Sequence, residues 1–175
     1  MYLINLFFLV SILTPGIVLA LPEDREKSVE IESDSATLDN KKGVSVYRGN
    51  VLMTQGTTQI KGDIVTIYSN KERNLTRVVA EGKRAYYAEQ QEGAKGKLQA
   101  WGVSIDYNVS DDKIVLLKDA EVSQGGDVFK GQMIEYDMLQ QTVSATGKSH
   151  NNGSKGKVRM IIQPRSKRGK KASDA

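Results

Sequence analysis

A stretch of this chain repeats itself without a gap. Gln55-Gly56 through Tyr68 realigns on Gln124-Gly125 through Asp137, placing Ile60 on Phe129, Lys61-Gly62 on Lys130-Gly131, Val65 on Ile134 and Ile67 on Tyr136. Upstream, Val46, Val51 and Met53 fall on Val115, Ala120 and Val122. A shorter unit occurs four times, starting at Ile31, Ile60, Leu98 and Phe129. Two positions on stands a small residue: Ser33, Gly62, Ala100 or Gly131. Five positions on comes Ala36, Val65, Val103 or Ile134, and seven on Leu38, Ile67, Ile105 or Tyr136. The step from an even to an odd offset breaks strict alternation. One extra residue in a strand switches its faces, and a small residue suits such a bulge or corner.

Between these corners the pattern has period two, as in Val44-Ser45-Val46 and from Val103 to Val109. Gly, Asn and Asp separate the runs, and past the first twenty residues no long window has helical spacing. That is the signature of short strands joined by turns. Each unit returns as a second strand, for example Val44 to Thr54 or Ile114 to Ser123. A lone hairpin cannot bury its apolar face, whereas stacked neighbours can. The expectation is all-β: four stacked two-strand units forming one open, curved antiparallel sheet or roll.

Residues 1–20 contain no Asp, Glu, Lys, Arg or His and run apolar up to Pro15-Gly16. They read as a signal peptide cut after Ala20, which expects export; an uncleaved anchor is the competing reading, because about 20 apolar residues can span a bilayer. Residues 21–164 form the expected domain, and 165–175 a basic, disordered tail. The net charge of +4 lies wholly in that tail. A neutral body lacks the basic face that nucleic-acid binding needs.

Chemistry-bearing constellations are missing. There is no cysteine, which removes thiolate nucleophiles, thiolate metal sites and redox motifs. The single histidine, His150, sits in a polar turn-like cluster and cannot alone build a zinc cage. Gly82-Lys83 and Gly96-Lys97 are isolated pairs rather than a phosphate loop. Asp34, Asp63, Asp106 and Asp127 fall near turns or corners, where carboxylates accept local backbone hydrogen bonds. The reading is of no enzyme, no cofactor and no metal.

Alternation assigns one apolar face: Val29, Ile31, Leu38, Val46, Val51, Met53, Ile60, Val65, Ile67, Tyr87, Val103, Ile105, Tyr107, Val109, Val115, Val122, Phe129, Ile134 and Tyr136. The residues alone leave open whether that face is an accessible trough or an ordinary closed core.

Val29-Glu30-Ile31-Glu32-Ser33-Asp34, Leu38-Asp39, Tyr47-Arg48-Gly49-Asn50-Val51 and Thr54-Gln55-Gly56 carry a family resemblance. It continues through Gly82-Lys83, Ala85-Tyr86-Tyr87, Ile105-Asp106-Tyr107, Val115-Leu116 and Lys130-Gly131. From about Val29 to Ala145 the chain resembles the OstA-like family of periplasmic lipopolysaccharide-transport proteins; residues 149–175 do not match. The resemblance implies a β-jellyroll shaped like an open V whose apolar interior holds lipid A acyl chains, with Val29, Ile31, Tyr87, Tyr107 and Val109 favoured for lipid contact. It also implies head-to-tail assembly, an inner-membrane-anchored LptC on one side and the N-terminal domain of the outer-membrane LptD on the other. An open roll leaves two strand edges, which invite strand addition. One edge is expected at Val29, Glu30 and Ile31, running to Ser33, the other at Val158, Met160 and Ile162. The alternatives are an anchored LptC-type component and a ligand-free structural β-repeat scaffold.

Overall fold

The computed structural model describes residues 23–91, 96–147 and 156–164. The expected signal segment, His150 and the basic tail lie outside the described residues.

After a 3-10 turn at Glu23–Glu26 come ten strands: β1 (Val29–Glu32), β2 (Ser35–Asp39), β3 (Val44–Gln55), β4 (Thr58–Ser69), β5 (Leu75–Gln90), β6 (Lys97–Asn108), β7 (Lys113–Gln124), β8 (Asp127–Asp137), β9 (Thr142–Thr146) and β10 (Arg159–Ile161). They form one sheet in the order β1-β3-β4-β5-β6-β7-β8-β10, with β2 also on β3 and β9 also on β8. Every pairing is antiparallel. The turn chemistry explains the hairpins: Gly125 and Gly126, both at positive φ, supply the mirror-image turn that a two-residue connection needs.

A line of irregularities crosses the sheet. Register shifts fall between Arg48 and Val51, Lys61 and Ile64, Glu81 and Ala85, Trp101 and Ser104, and Leu117 and Ala120. Along it β4, β6 and β8 carry Gly62, Gly102 and Gly131. A Cβ on Gly62 would stand 2.9 Å from the Glu81 carbonyl oxygen, and one on Gly131 2.8 Å from that of Thr146. Strands β3 and β7 turn the same corner with two successive left-handed residues, Gly49-Asn50 and Lys118-Asp119.

The sheet doubles back at this line. Tyr87 and Tyr107 lie on adjacent strands, and Tyr87 is paired with Ala100, seven residues from Tyr107. On a flat sheet they would be separated by roughly 23 Å. Their ring centroids are 5.3 Å apart, edge to face, so the two halves of the sheet face each other as layers.

Cross-strand register lays apolar rows across each layer. On one side of the corner Ile31, Met53, Ile60, Tyr87, Ala100, Val122, Phe129 and Met160 are successive partners. On the other side Leu38, Ser45, Ile67, Val78, Tyr107, Ile114, Tyr136 and Val143 form the row. Beside it runs Ala36, Tyr47, Val65, Ala80, Ile105, Leu116, Ile134 and Ala145. Each row crosses the whole sheet, and only Ser45 interrupts the apolar composition.

The third copy of the repeat sits two residues later than expected. Ala100, Gly102, Ile105 and Tyr107 occupy the positions of Ile60, Gly62, Val65 and Ile67. Leu98 and Ala100 satisfy the same sequence template one step earlier; the glycine at the corner decides between them.

Candidate functional site

The candidate site is the space between the layers. At its centre it is closed: Val65, Tyr87, Leu98, Leu116 and Ile134 have no exposed surface. Of the expected lining, Val51, Met53, Ile60, Ile67, Ile105, Tyr107, Val109, Val122 and Tyr136 are also buried there. Ile31 and Phe129 are half-buried and pack on this core. Towards the edges the rows emerge, with Leu38 59% and Met160 52% exposed. Val29, at the start of β1, is exposed as well.

Three assigned lining residues face elsewhere. Val46 pairs with Thr66, on the side opposite Val65 and Ile67. Val115 lies between Asp106 and Glu135, opposite Ile114 and Leu116. Both positions inherit an odd offset that holds for β4 and β8. The paired left-handed residues of β3 and β7 preserve parity, so the offset fails there. Val103 sits in the corner itself and lines an outer groove with Asp63, Lys83 and Lys118. Conversely, Val78, Ala80, Ala85, Leu98, Ala100, Ile114, Leu116 and Ala120 belong to the interior and were missed. Alanine carries no hydropathic signal in alternation, and the consecutive apolar run Ile114 to Leu117 leaves its phase undetermined.

Polar groups bind the layers across the interior. Tyr136 Oη donates to Gln124 Oε1 at 3.4 Å, and Arg25, before β1, pairs with Asp112 in the β6–β7 turn. The Tyr87 hydroxyl donates to Glu89 Oε2 at 3.1 Å and lies 3.9 Å from Met138 Sδ. Burial raises the pKa of Tyr87, with the negative ends of Tyr107 and Glu89 adding to the effect. Burial likewise raises the pKa of Glu89 from its ordinary value. A buried charge is costly without a full set of partners, so this interior favours neutral groups.

At the β1–β2 edge the layers part. A cleft of about 880 Å³ opens there, with Val29, Ile31, Tyr47, Ile67, Leu75 and Val109 on its walls and Arg25, Gln55, Ser69, Arg73 and Asn74 among its polar lining. Sequence reasoning reached four of these six apolar residues; Tyr47 and Leu75 were not assigned to the face.

Both edges lie where the sequence places them. β1 covers Val29, Glu30 and Ile31 at one end, and β10, flanked by exposed Val158 and Ile162, lies at the other. Each edge is shared, by β2 beside β1 and by β9 beside β10. Among the described residues no group of His, Asp and Glu could hold a metal, and no helix is long and apolar enough to cross a membrane.

One creased antiparallel sheet, apolar inside and free at both edges, defines a class: open β-rolls in which an apolar surface runs from edge to edge. The family described as LptA/(LptD N-terminal domain) LPS transport protein matches residues 30–142, and the chain belongs to that family. Lipopolysaccharide export system protein LptH of Pseudomonas aeruginosa is 39% identical over 165 residues, covering 93% of this chain and 94% of that protein. Lipopolysaccharide export system protein LptA of Escherichia coli K12 is 29% identical over 144 residues, covering 81% and 77%. The crystal structure of LptH, described as the LptA-homologous periplasmic component of the lipopolysaccharide transport device of P. aeruginosa, superposes with a TM-score of 0.71 at 38% identity. It covers 82% of this chain and all of that one.

Proposed function

We propose that this chain is a periplasmic lipopolysaccharide carrier, exported by a signal peptide cut after Ala20, that shields lipid A acyl chains between its two layers. It acts as a carrier and not as a catalyst. The observation that carries the reading is the set of rows, apolar but for Ser45, that run to both edges, where a second copy adding on would extend them.

The physical need is plain. Each methylene exposed to water costs about 0.8 kcal/mol, so a chain of about ten would lose roughly 8 kcal/mol in the open. A surface that is apolar from edge to edge avoids this without holding the lipid at one point. Chains engage first at the cleft beside Val29 and Ile31, and the layers then separate around the Tyr87 and Tyr107 contact. Head-to-tail copies form the bridge, with an LptC-type protein at the β1–β2 edge and an LptD-type N-terminal domain at the β9–β10 edge. Two different surfaces meeting in this way do not close into a ring.

The sealed centre is the observation that favours a second reading, a ligand-free scaffold. Organic extraction of the purified protein, followed by mass spectrometry, separates the two. The carrier yields acylated glycolipid in stoichiometric amount. Extracts without lipid, together with no uptake of added lipopolysaccharide, refute it. Terminal sequencing adds a check, because a mature chain starting at Leu21 excludes an anchored component.

A further inference from the structure

Beside the apolar cleft lies a second depression of about 630 Å³ with a different character. It is built from the β2–β3 and β4–β5 turns, which bring Lys41, Lys42, Lys71 and Arg73 together. The Ser69 amide donates to the Gly43 carbonyl at 2.9 Å and ties the two turns side by side. Asp39 is the single acidic residue in its wall and is held by Lys42 at 3.3 Å. Glu72 shares the second turn but does not line the depression. Lys41, Lys71 and Arg73 are exposed and make no ion pair among the described residues.

Two observations give this cluster a direction. First, Ser45, Ser69 and Arg73 belong to the walls of both the basic depression and the apolar cleft, so the two spaces are one site with a charged and a greasy half. Second, Arg73 has a φ of +67°, a left-handed conformation in which a long side chain is disfavoured and Gly or Asn is the usual occupant. Its amide donates to the Asn70 carbonyl at 3.0 Å, and the Asn74 amide to Asn70 Oδ1 at 2.8 Å. The turn thus holds a guanidinium at the junction of the two halves, where backbone preference argues against it. Disfavoured backbone of this sort concentrates at binding sites.

We propose that Lys41, Lys71 and Arg73 form a headgroup site that takes a phosphate of an anionic amphiphile while its acyl chain seats in the adjoining cleft. The proposal rests on the carrier reading and adds to it a recognition step at the β1–β2 edge. The phosphate is lipid-borne, because the basic half is open to solvent and its shared wall at Ser45 adjoins Ile67 in the apolar cleft. Arginine presents a planar fork matched to phosphate oxygens, and the lysines add point charges.

The test uses the full mature chain and three probes: diphosphoryl lipid A, the same lipid after enzymatic dephosphorylation, and inorganic phosphate. Wild-type protein is expected to prefer the phosphorylated lipid by about tenfold at low salt, and this preference shrinks with ionic strength. The combined Lys41→Gln, Lys71→Gln, Arg73→Gln variant binds both lipids alike. Arg73→Gly alone weakens the preference without lowering Tm, since glycine suits that backbone; a purely structural arginine would give the opposite pair of results. Equal binding of both lipids by wild type overturns the headgroup site and leaves the carrier reading intact. Binding of neither lipid overturns both. Competition by inorganic phosphate at low millimolar concentration overturns the assignment to a lipid-borne phosphate.

Discussion

Tyr87→Ala probes whether the layers are packed together before any lipid arrives. The ring is fully buried and meets the Tyr107 ring at 5.3 Å and 66°. Its hydroxyl bonds to Glu89. Removing a buried aromatic costs about 3–5 kcal/mol through lost transfer energy and the cavity left behind. Within that, the aromatic pair contributes about 0.5–1.5 kcal/mol and the hydrogen bond about 1 kcal/mol. Tyr87→Phe keeps the ring and should lose only that last part. Urea unfolding of lipid-free protein reads both values. Val115→Ala, on the outer face, is the control and should cost under about 1 kcal/mol. If Tyr87→Ala matches Val115→Ala, the layers are already apart in solution and the closed centre is not the resting state. If it loses the full amount, bound lipid should restore more stability to the variant than to wild type, because a cavity then awaits a methylene chain.

Ile31→Asp places a carboxylate at the half-buried end of an apolar row; it should abolish photo-crosslinking to lipopolysaccharide while the far-ultraviolet circular dichroism stays that of a sheet, and undiminished crosslinking would count against the face. Tyr107→Asp is expected to do the same but also to destabilise, since Tyr107 is only 6% exposed. Met160→Lys combined with Ile162→Lys alters side chains that are already largely exposed, so Tm should hold while concentration-dependent self-association in sedimentation disappears. Glu89→Gln tests linkage: burial raises the folded-state pKa of Glu89, so its contribution is fully present below the unfolded value of about 4.3 and is lost as pH rises through the raised one. The variant should therefore be more stable than wild type at pH 7, with the gap closing toward pH 4; a gap that is independent of pH would refute the assignment.

Much of this fold was legible because the corner leaves a mark in the sequence. Gly62 and Gly131 sit where backbone comes within 3 Å of where a Cβ would stand, so a small residue at that repeat position signals the corner. The two edge strands were legible as well, from the alternation Val29-Glu30-Ile31-Glu32 at one end and the apolar-rich segment Val158 to Ile162 at the other. Val46 and Val115 were assigned to the wrong face for the converse reason. Two left-handed residues and one inserted residue both turn a corner, but only the inserted one reverses the side chains, and Lys118-Asp119 does not advertise its φ. The cleft depends on residues far apart in sequence coming to line one space, such as Val29 and Val109, and no local pattern encodes that.

The crease runs to the margins of the sheet, so neither margin is one straight strand. Each is a pair of short segments set at an angle, β1 with β2 and β9 with β10. A stray extended peptide can satisfy one segment but not both. The bent margin therefore offers a promiscuous extended strand only a short run of pairing at a time, which blunts the edge against amyloid-like addition.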